Sequence, residues 1–153
     1  GEAGGLVQPT PTRADIRLKA MVVITQPTSG RILVNPVYET DGRLIGYRIP
    51  GGHVEFGEKA QETIVREIHE EMGTELADVQ FLHVIENCFT YAGRSCHEVI
   101  FIYRATFADP AWLNKDEIQA QEDNGEDFIL TWQDPHALPG QLPLFPTGLK
   151  GLL

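Results

Sequence analysis

The chain has 153 residues and is 42% hydrophobic, which suits one domain with a core of its own. No apolar run approaches the roughly 20 residues that span a bilayer, and no secretory signal is apparent, so we expect no membrane partner and a cytoplasmic location. The formal net charge of -10 argues against a nucleic-acid-binding surface, and an acidic protein that handled phosphates would need carboxylates that hold cations.

The predicted elements describe a single domain behind a short tail. Residues 1–13 are rich in Gly, Pro and Thr and are predicted to be flexible, and residues 14–153 form the domain. Apolar runs between turn signals predict strands at residues 16–24, 31–37, 44–49, 79–89, 97–107 and 128–132. Apolar residues that recur every fourth position predict one long helix at residues 58–72. Residues 109–127 are predicted to be a loop, and residues 135–138 are predicted to start a short helix. Together these elements predict helices packed on a mixed sheet.

The two cysteines, Cys88 and Cys96, flank a predicted hairpin turn at residues 91–94. A cross-strand disulfide is conceivable there, but two reduced thiols are favoured in a cytosolic protein.

The predicted helix carries an unusual set of carboxylates. At about 100° per residue, Glu67, Glu70 and Glu71 share an arc of roughly 100°, where three like charges destabilise an isolated helix. A divalent cation would remove that penalty, because Mg²⁺ prefers carboxylate oxygens. The alternative is an ordinary amphipathic helix with a solvated acidic face. Glu58 and Glu62 lie outside the arc and are expected to be solvated.

The residues before and along this helix resemble a known signature. Gly52 is followed after five residues by Glu58, and after seven more by a run from Arg66 to Gly73 that reads Arg-Glu-Ile-His-Glu-Glu-Met-Gly. This spacing is similar to the Nudix box at every fixed position except the last, where Thr74 replaces the usual bulky aliphatic residue. The resemblance implies an α/β (α+β) fold in which a mixed sheet is sandwiched between helices. It also implies hydrolysis of a nucleoside diphosphate linked to another group, with Mg²⁺, or Mn²⁺ as a substitute, as cofactor.

The resemblance also implies roles for individual residues. Glu70 and Glu71 match metal ligands, and Glu67 matches a metal ligand or the general base. The Gly51 carbonyl matches a backbone ligand of the metal. Arg66 matches the residue that orients these glutamates, and its spacing allows a pair with Glu62 or Glu70. A catalytically silent Nudix fold, kept as a nucleotide-binding or regulatory module, is the alternative function.

A further carboxylate is expected from the acidic segment at residues 114–127. Glu126 is the preferred candidate because of its spacing before Trp132, and Glu122 competes with it. A solvated acidic loop is the alternative.

Substrate contacts are the least determined part of the prediction. Arg48 could bind a phosphate or form a surface salt bridge. Phe89 and Tyr91 could stack on a base, although packing is the commoner fate of such side chains. Nucleoside triphosphates, nucleotide sugars and dinucleoside polyphosphates all stay open as the nucleotide-like substrate, and a homodimer stays open as the assembly state.

Overall fold

The computed structural model describes residues 15–153, so the predicted tail at residues 1–13 lies outside the described residues. Within residues 15–153 the chain forms nine strands, one α-helix and three short 3-10 turns. The elements are β1 (Ile16–Ile24), β2 (Ile32–Tyr38), β3 (Leu44–Arg48), β4 (Gly51–His53), α1 (Ala60–Met72), β5 (Leu76–Tyr91), β6 (Arg94–Phe107), β7 (Glu117–Gln121), β8 (Asp127–Gln133) and β9 (Leu144–Phe145). No helix in this part of the chain is long and apolar enough to cross a membrane.

The strands form two mixed sheets. One has the order β4-β1-β6-β5, with β1 parallel to β6 and the other neighbours antiparallel. The other has the order β7-β8-β2-β3-β9, with only β3 and β9 parallel. The predicted fold class is confirmed, with α1 as the single α-helix of the described residues.

Helix α1 begins two residues later than predicted. Lys59 is its N-cap, and Glu62 accepts a hydrogen bond from the Lys59 backbone N–H at 2.8 Å, which fixes the first turn. Gly73 ends the helix in the left-handed conformation, at φ 72°, where a residue without Cβ is favoured. The predicted start at residue 58 was therefore wrong, and Glu58 lies in the loop before the helix.

The alternation along β1 separates two cores. Ala20, Val22 and Ile24 pack beneath the predicted apolar stripe of α1, which is buried as expected. Met21 and Val23 point to the other side of the sheet. They pack there with residues of β2 and β6 and with leucines of the C-terminal segment: Ile32, Val34, Ile100, Ile102, Leu138, Leu144 and Leu149.

Two predictions about the second half of the chain were wrong. Residues 109–127 are not a loop, because they contain a 3-10 turn at Pro110–Asn114 and strand β7. Ile118 and Ala120 alternate inward along β7 into the core beneath α1, and β8 supplies the backbone hydrogen bonds. The helix expected at residues 135–138 is also absent, and a 3-10 turn forms at Pro139–Gln141 instead.

The cysteines lie on opposite faces of the hairpin formed by β5 and β6. Cys88 is paired with His97, whereas Cys96 is paired with Phe89, one residue further along β5. Successive side chains of a strand point to opposite faces, so the two sulfur atoms face apart. Both thiols are free, as expected.

Candidate active site

A glycine pair brings the backbone of β4 against the helix carboxylates. A Cβ at Gly51 would lie 2.3 Å from the Ala20 carbonyl oxygen in β1. A Cβ at Gly52 would lie 2.5 Å from the Glu67 carboxyl carbon and 2.7 Å from its Oε1 atom. Both positions therefore need glycine. The absence of a side chain at Gly52 allows the Glu67 carboxylate to pack against the backbone of β4.

Arg66 is the centre of an ion-pair network that crosses the box. Its guanidinium donates to both oxygens of Glu58, at 2.7 Å and 3.0 Å. It also donates to Glu67 at 2.9 Å, to Glu70 at 3.1 Å and to the His53 carbonyl at 3.2 Å. The predicted pair between Arg66 and Glu70 is confirmed. The planar guanidinium of Arg66 thus links strand β4, the loop that precedes α1 and two carboxylates of the helix.

Glu58 was predicted to be solvated, and this was wrong. Its side chain is only 16% exposed, because it lies under Arg66 and accepts a hydrogen bond from the Thr63 hydroxyl at 2.7 Å. The hydrogen bonds from Arg66, and then that from Thr63, lower the pKa of Glu58 to about 2. The fixed position of Glu58 in the box could have indicated that its side chain has a structural role. Starting the helix at residue 58 instead placed Glu58 on the solvent-exposed face of the helix.

Glu67 and Glu71 form a pair of carboxylates one helical turn apart. Glu67 is 7% exposed, and burial raises its pKa against the opposing influence of Arg66. Burial also raises the pKa of Glu71, and the charges of Glu67 and Glu122 raise it further. The negative charge of each group thus disfavours ionisation of the other, because the two carboxylates lie close together at this edge of the core. Two clustered carboxylates that resist being charged together are stabilised by a cation.

The donors at this edge fit a hard divalent cation in their chemistry. They are carboxylate oxygens of one helix, and the glycine pair of β4 beside them can offer a carbonyl oxygen. Within residues 15–153, no three His, Cys, Asp or Glu side chains converge closely enough to form a ready-made metal cage. The fit therefore rests on the type and burial of the donors, with Glu70 exposed and held by Arg66.

The loop between β7 and β8 brings two acidic residues near the helix. The charge of Glu122 raises the pKa of Glu71, and that of Asp123 raises the pKa of Glu67. Glu126 is exposed, and its backbone closes the turn: its carbonyl accepts from the Glu122 N–H, and its N–H donates to the Asn124 side-chain Oδ1. The helix carboxylates therefore have Glu122 and Asp123 as their electrostatic neighbours from this loop.

The three predicted substrate-contacting residues lie at different places around the site. Arg48 donates to Glu122 at 3.4 Å, which places it next to the acidic loop. Tyr91 donates its hydroxyl to the Tyr38 carbonyl at 2.7 Å and so ties the β5–β6 hairpin to the end of β2. Phe89 is 41% exposed on the same hairpin. Arg48 is thus the one of the three that directly contacts an acidic residue near the helix carboxylates.

A surface concavity of about 780 Å³ borders the opposite side of α1, at Glu62, Val65 and His69. These residues lie roughly 160° around the helix from Glu67 and Glu71, at about 100° per residue. The concavity is open, and although Glu58 and Arg66 border it, neither Glu67 nor Glu71 does, so we do not place the reaction there.

Comparison with known proteins agrees with the architecture. The family model described as the NUDIX domain matches residues 15–150. The protein named as mutator protein MutT4 of Mycobacterium tuberculosis is 30% identical over 101 residues, which are 66% of this chain and 37% of that protein. This chain therefore spans only about a third of the length of that relative.

Solved structures of low sequence identity share the fold. The MutT Nudix hydrolase of Burkholderia pseudomallei superposes with a TM-score of 0.64 at 24% identity, covering 90% of this chain and 96% of the other. The MutT protein of Bacillus halodurans has a TM-score of 0.58 at 20% identity, covering 90% and 79%. With the family model matched over nearly the whole described region, and the box and both sheets in place, the chain belongs to the Nudix family.

Proposed function

We propose that the chain is a Mg²⁺-dependent hydrolase that cleaves a diphosphate linkage in a nucleoside diphosphate-linked substrate, by attack of water on phosphorus. Nudix hydrolases are in general pyrophosphohydrolases. The observation that carries the proposal for this chain is the neighbouring pair of Glu67 and Glu71, of which Glu67 is buried against Gly52 and oriented by Arg66, and Glu71 is half-buried.

The metal would be held by Glu67, Glu70 and Glu71, with the Gly51 carbonyl as a backbone ligand. When bound, Mg²⁺ would neutralise the diphosphate and stabilise charge that develops on its oxygens in the transition state. Mn²⁺ would be accepted by the same oxygen donors.

The chain's own residues would position the reactants. Arg66 fixes the rotamers of Glu67 and Glu70, and Glu58 in turn fixes Arg66 through two hydrogen bonds. A carboxylate beside the attacking water would accept its proton, and Glu67, as a metal ligand or the general base, is the candidate for this role. Phosphoryl transfer needs such positioning more than it needs a covalent intermediate.

A further carboxylate would come from the loop between β7 and β8. We favour Glu122, because it is half-buried, contacts Arg48 and influences the pKa of Glu71. The role predicted for Glu126 stays a prediction, since this turn could rearrange when substrate and metal bind. Arg48 would exchange Glu122 for a substrate phosphate, to which a guanidinium can donate two hydrogen bonds.

The test compares two isosteric variants of the same helix. Purified protein is incubated with Mg²⁺ and nucleoside triphosphates, nucleotide sugars and dinucleoside polyphosphates, and release of nucleoside monophosphate or pyrophosphate is followed. Glu71→Gln removes one charge of the buried pair and should lower kcat by about 10²-fold or more. Glu62→Gln is the matched control, because Glu62 is exposed and a glutamine keeps the capping hydrogen bond.

Two outcomes would contradict the proposal. Equal turnover of Glu71→Gln and Glu62→Gln would mean that the acidic arc is not the site of reaction. No turnover of any substrate with Mg²⁺ or Mn²⁺, combined with measurable nucleotide binding, would favour the silent binding module instead.

A further inference from the structure

A second group of charged residues lies on the side of the β4-β1-β6-β5 sheet that faces away from α1. Arg17 and Lys19 alternate with residues that point towards the helix, and therefore share a face with Met21. The parallel pairing of β1 with β6 places Glu98 opposite Arg17, on the same face. Lys19 and Glu98 form an ion pair at 3.6 Å.

This ion pair is unusually buried. The side chain of Lys19 is 17% exposed and that of Glu98 is 12% exposed. Burying two charges costs desolvation energy that their attraction seldom exceeds, and an apolar pair at such a position is often as stable. Stability alone therefore gives little reason for a lysine and a glutamate there. A buried, pre-oriented ammonium group with further donor capacity is suited to binding a ligand.

The charged group lies one strand away from the glycine pair of the candidate active site. Lys19 is paired across the sheet with His53, which follows the glycine pair in β4. Arg48 connects the two regions, because it contacts Glu122 on one side and its charge lowers the pKa of Lys19 on the other. The cationic side chains of Arg17, Lys19 and Arg48 therefore lie beside the acidic centre.

The concentration of cations stands out against the composition. The chain has 12 Lys and Arg residues against 22 Asp and Glu residues, and three of these cations, Arg17, Lys19 and Arg48, lie along one edge. The carboxylates among them, Glu98 and Glu122, leave a surplus of positive charge. Such a surplus in a negatively charged protein attracts anions to that place.

We propose that Arg17 and Lys19 form a subsite for a second anionic group of the substrate, a phosphate that lies beyond the scissile diphosphate. Glu98 orients Lys19 in this subsite and does not contact the substrate phosphate. The inference rests on the proposed function, since it assumes that the diphosphate lies at Glu67 and Glu71. The preferred substrates then carry a polyphosphate chain, or a separate phosphate, in addition to the linkage that is cleaved.

The test measures binding without turnover. Two non-hydrolysable probes are compared by calorimetry with Mg²⁺: an α,β-methylene nucleoside diphosphate, and the corresponding α,β-methylene nucleoside triphosphate with one more phosphate. The parent protein should bind the triphosphate probe about 10-fold more tightly. Lys19→Met should remove most of this preference, because one charge-assisted hydrogen bond contributes about 10-fold or more. It should change the Kd of the diphosphate probe by less than about 2-fold.

Further variants separate recognition from folding. Arg17→Gln changes an exposed residue, so it should reduce the preference for the triphosphate probe even if Lys19→Met fails to fold. Glu98→Gln should tighten binding of the triphosphate probe, because it removes a negative charge beside Lys19. Arg43→Gln, in the exposed turn before β3, is the matched control and should leave both Kd values unchanged.

The outcomes distinguish this inference from the proposed function. Equal weakening of both probes by Lys19→Met and Arg17→Gln, or no weakening by either, would overturn the subsite. A parent protein that binds both probes equally would overturn it as well. Absence of Mg²⁺-dependent hydrolysis, with the binding contrast intact, would instead contradict the proposed function and leave the subsite standing.

Discussion

Substituting alanine for Gly52 tests the placement of Glu67 most directly. The added Cβ would lie 2.5 Å from the Glu67 carboxyl carbon and within 2.9 Å of both its oxygens. Ordinary contacts are at least 3.4 Å, so the carboxylate must move by about 1 Å. A displacement of about 1 Å can cost roughly 10²-fold in rate when a reacting group is misplaced.

The effect on stability should be smaller than the effect on turnover. Extra methyl groups in a packed site cost about 1–3 kcal/mol, and the carboxylate that must move is the far end of a side chain. About 1 kcal/mol corresponds to roughly 2–4 °C in Tm for a domain of this size. Gly52→Ala should therefore stay folded at 25 °C while its kcat falls by about two orders of magnitude.

A glycine of the same loop provides the control. Gly57 has a φ of 84° and no atom within 4 Å of a Cβ placed on it. Gly57→Ala should cost about 1–2 kcal/mol through backbone strain, but kcat should stay within about 2-fold of the parent. Steady-state kinetics and thermal unfolding of both variants decide the matter. A folded Gly52→Ala protein with parental kcat would refute the placement of Glu67 against the loop.

Two further predictions concern the remaining carboxylates. Glu122→Gln should lower kcat by about 10-fold or more with little change in KM, whereas Glu126→Gln should stay near the parent; the reverse pattern would return the catalytic role to Glu126. Glu58 has a folded pKa of about 2 against an ordinary value of 4.5, so its pair with Arg66 stabilises the fold above pH 4.5 and is lost as the pH falls towards 2. Urea midpoints should therefore be higher for the parent than for Glu58→Gln at pH 7, with the gap closing between pH 4.5 and 2, and a gap that is independent of pH would contradict this ion pair.

The sequence predicted the parts of the fold that depend on local pattern. The apolar stripe from Ala60 to Met72 and the terminal Gly73 are enough to place α1, because both signals lie within 14 residues. The helix start was misplaced because the capping box at Lys59 begins with a residue type that is not a common N-cap. Strand β7 was missed because Ile118 is the one large apolar side chain in a short polar segment, and only β8 makes it a strand.

The geometry that depends on distant pairing could not be read from the sequence. Lys19 and Glu98 meet because β1 runs parallel to β6, and nothing local to either residue specifies that neighbour. Arg48 and Glu122 are separated by 74 positions and meet only because β3 and β7 are strands of the same sheet. The box spacing pointed to α1 as the helix of the candidate site, whereas the charged edge beside it emerged only from the sheet topology.

The distribution of charge around the site suggests why metal and substrate would bind together. On the helix side, the carboxylates of Glu58, Glu67 and Glu70 all contact the single guanidinium of Arg66, and Glu71 adds a further, half-buried acid. At an effective dielectric constant of 20, two like charges 4 Å apart repel by about 4 kcal/mol, so this half repels a bare diphosphate and attracts a cation. The half around Lys19 instead attracts an anion and repels a cation. Under the two proposals, a polyphosphate chelated to Mg²⁺ would satisfy both halves at once, with its metal at the acidic residues and its free phosphate at the basic ones. The two binding events should therefore be cooperative, each strengthening the other by the same factor.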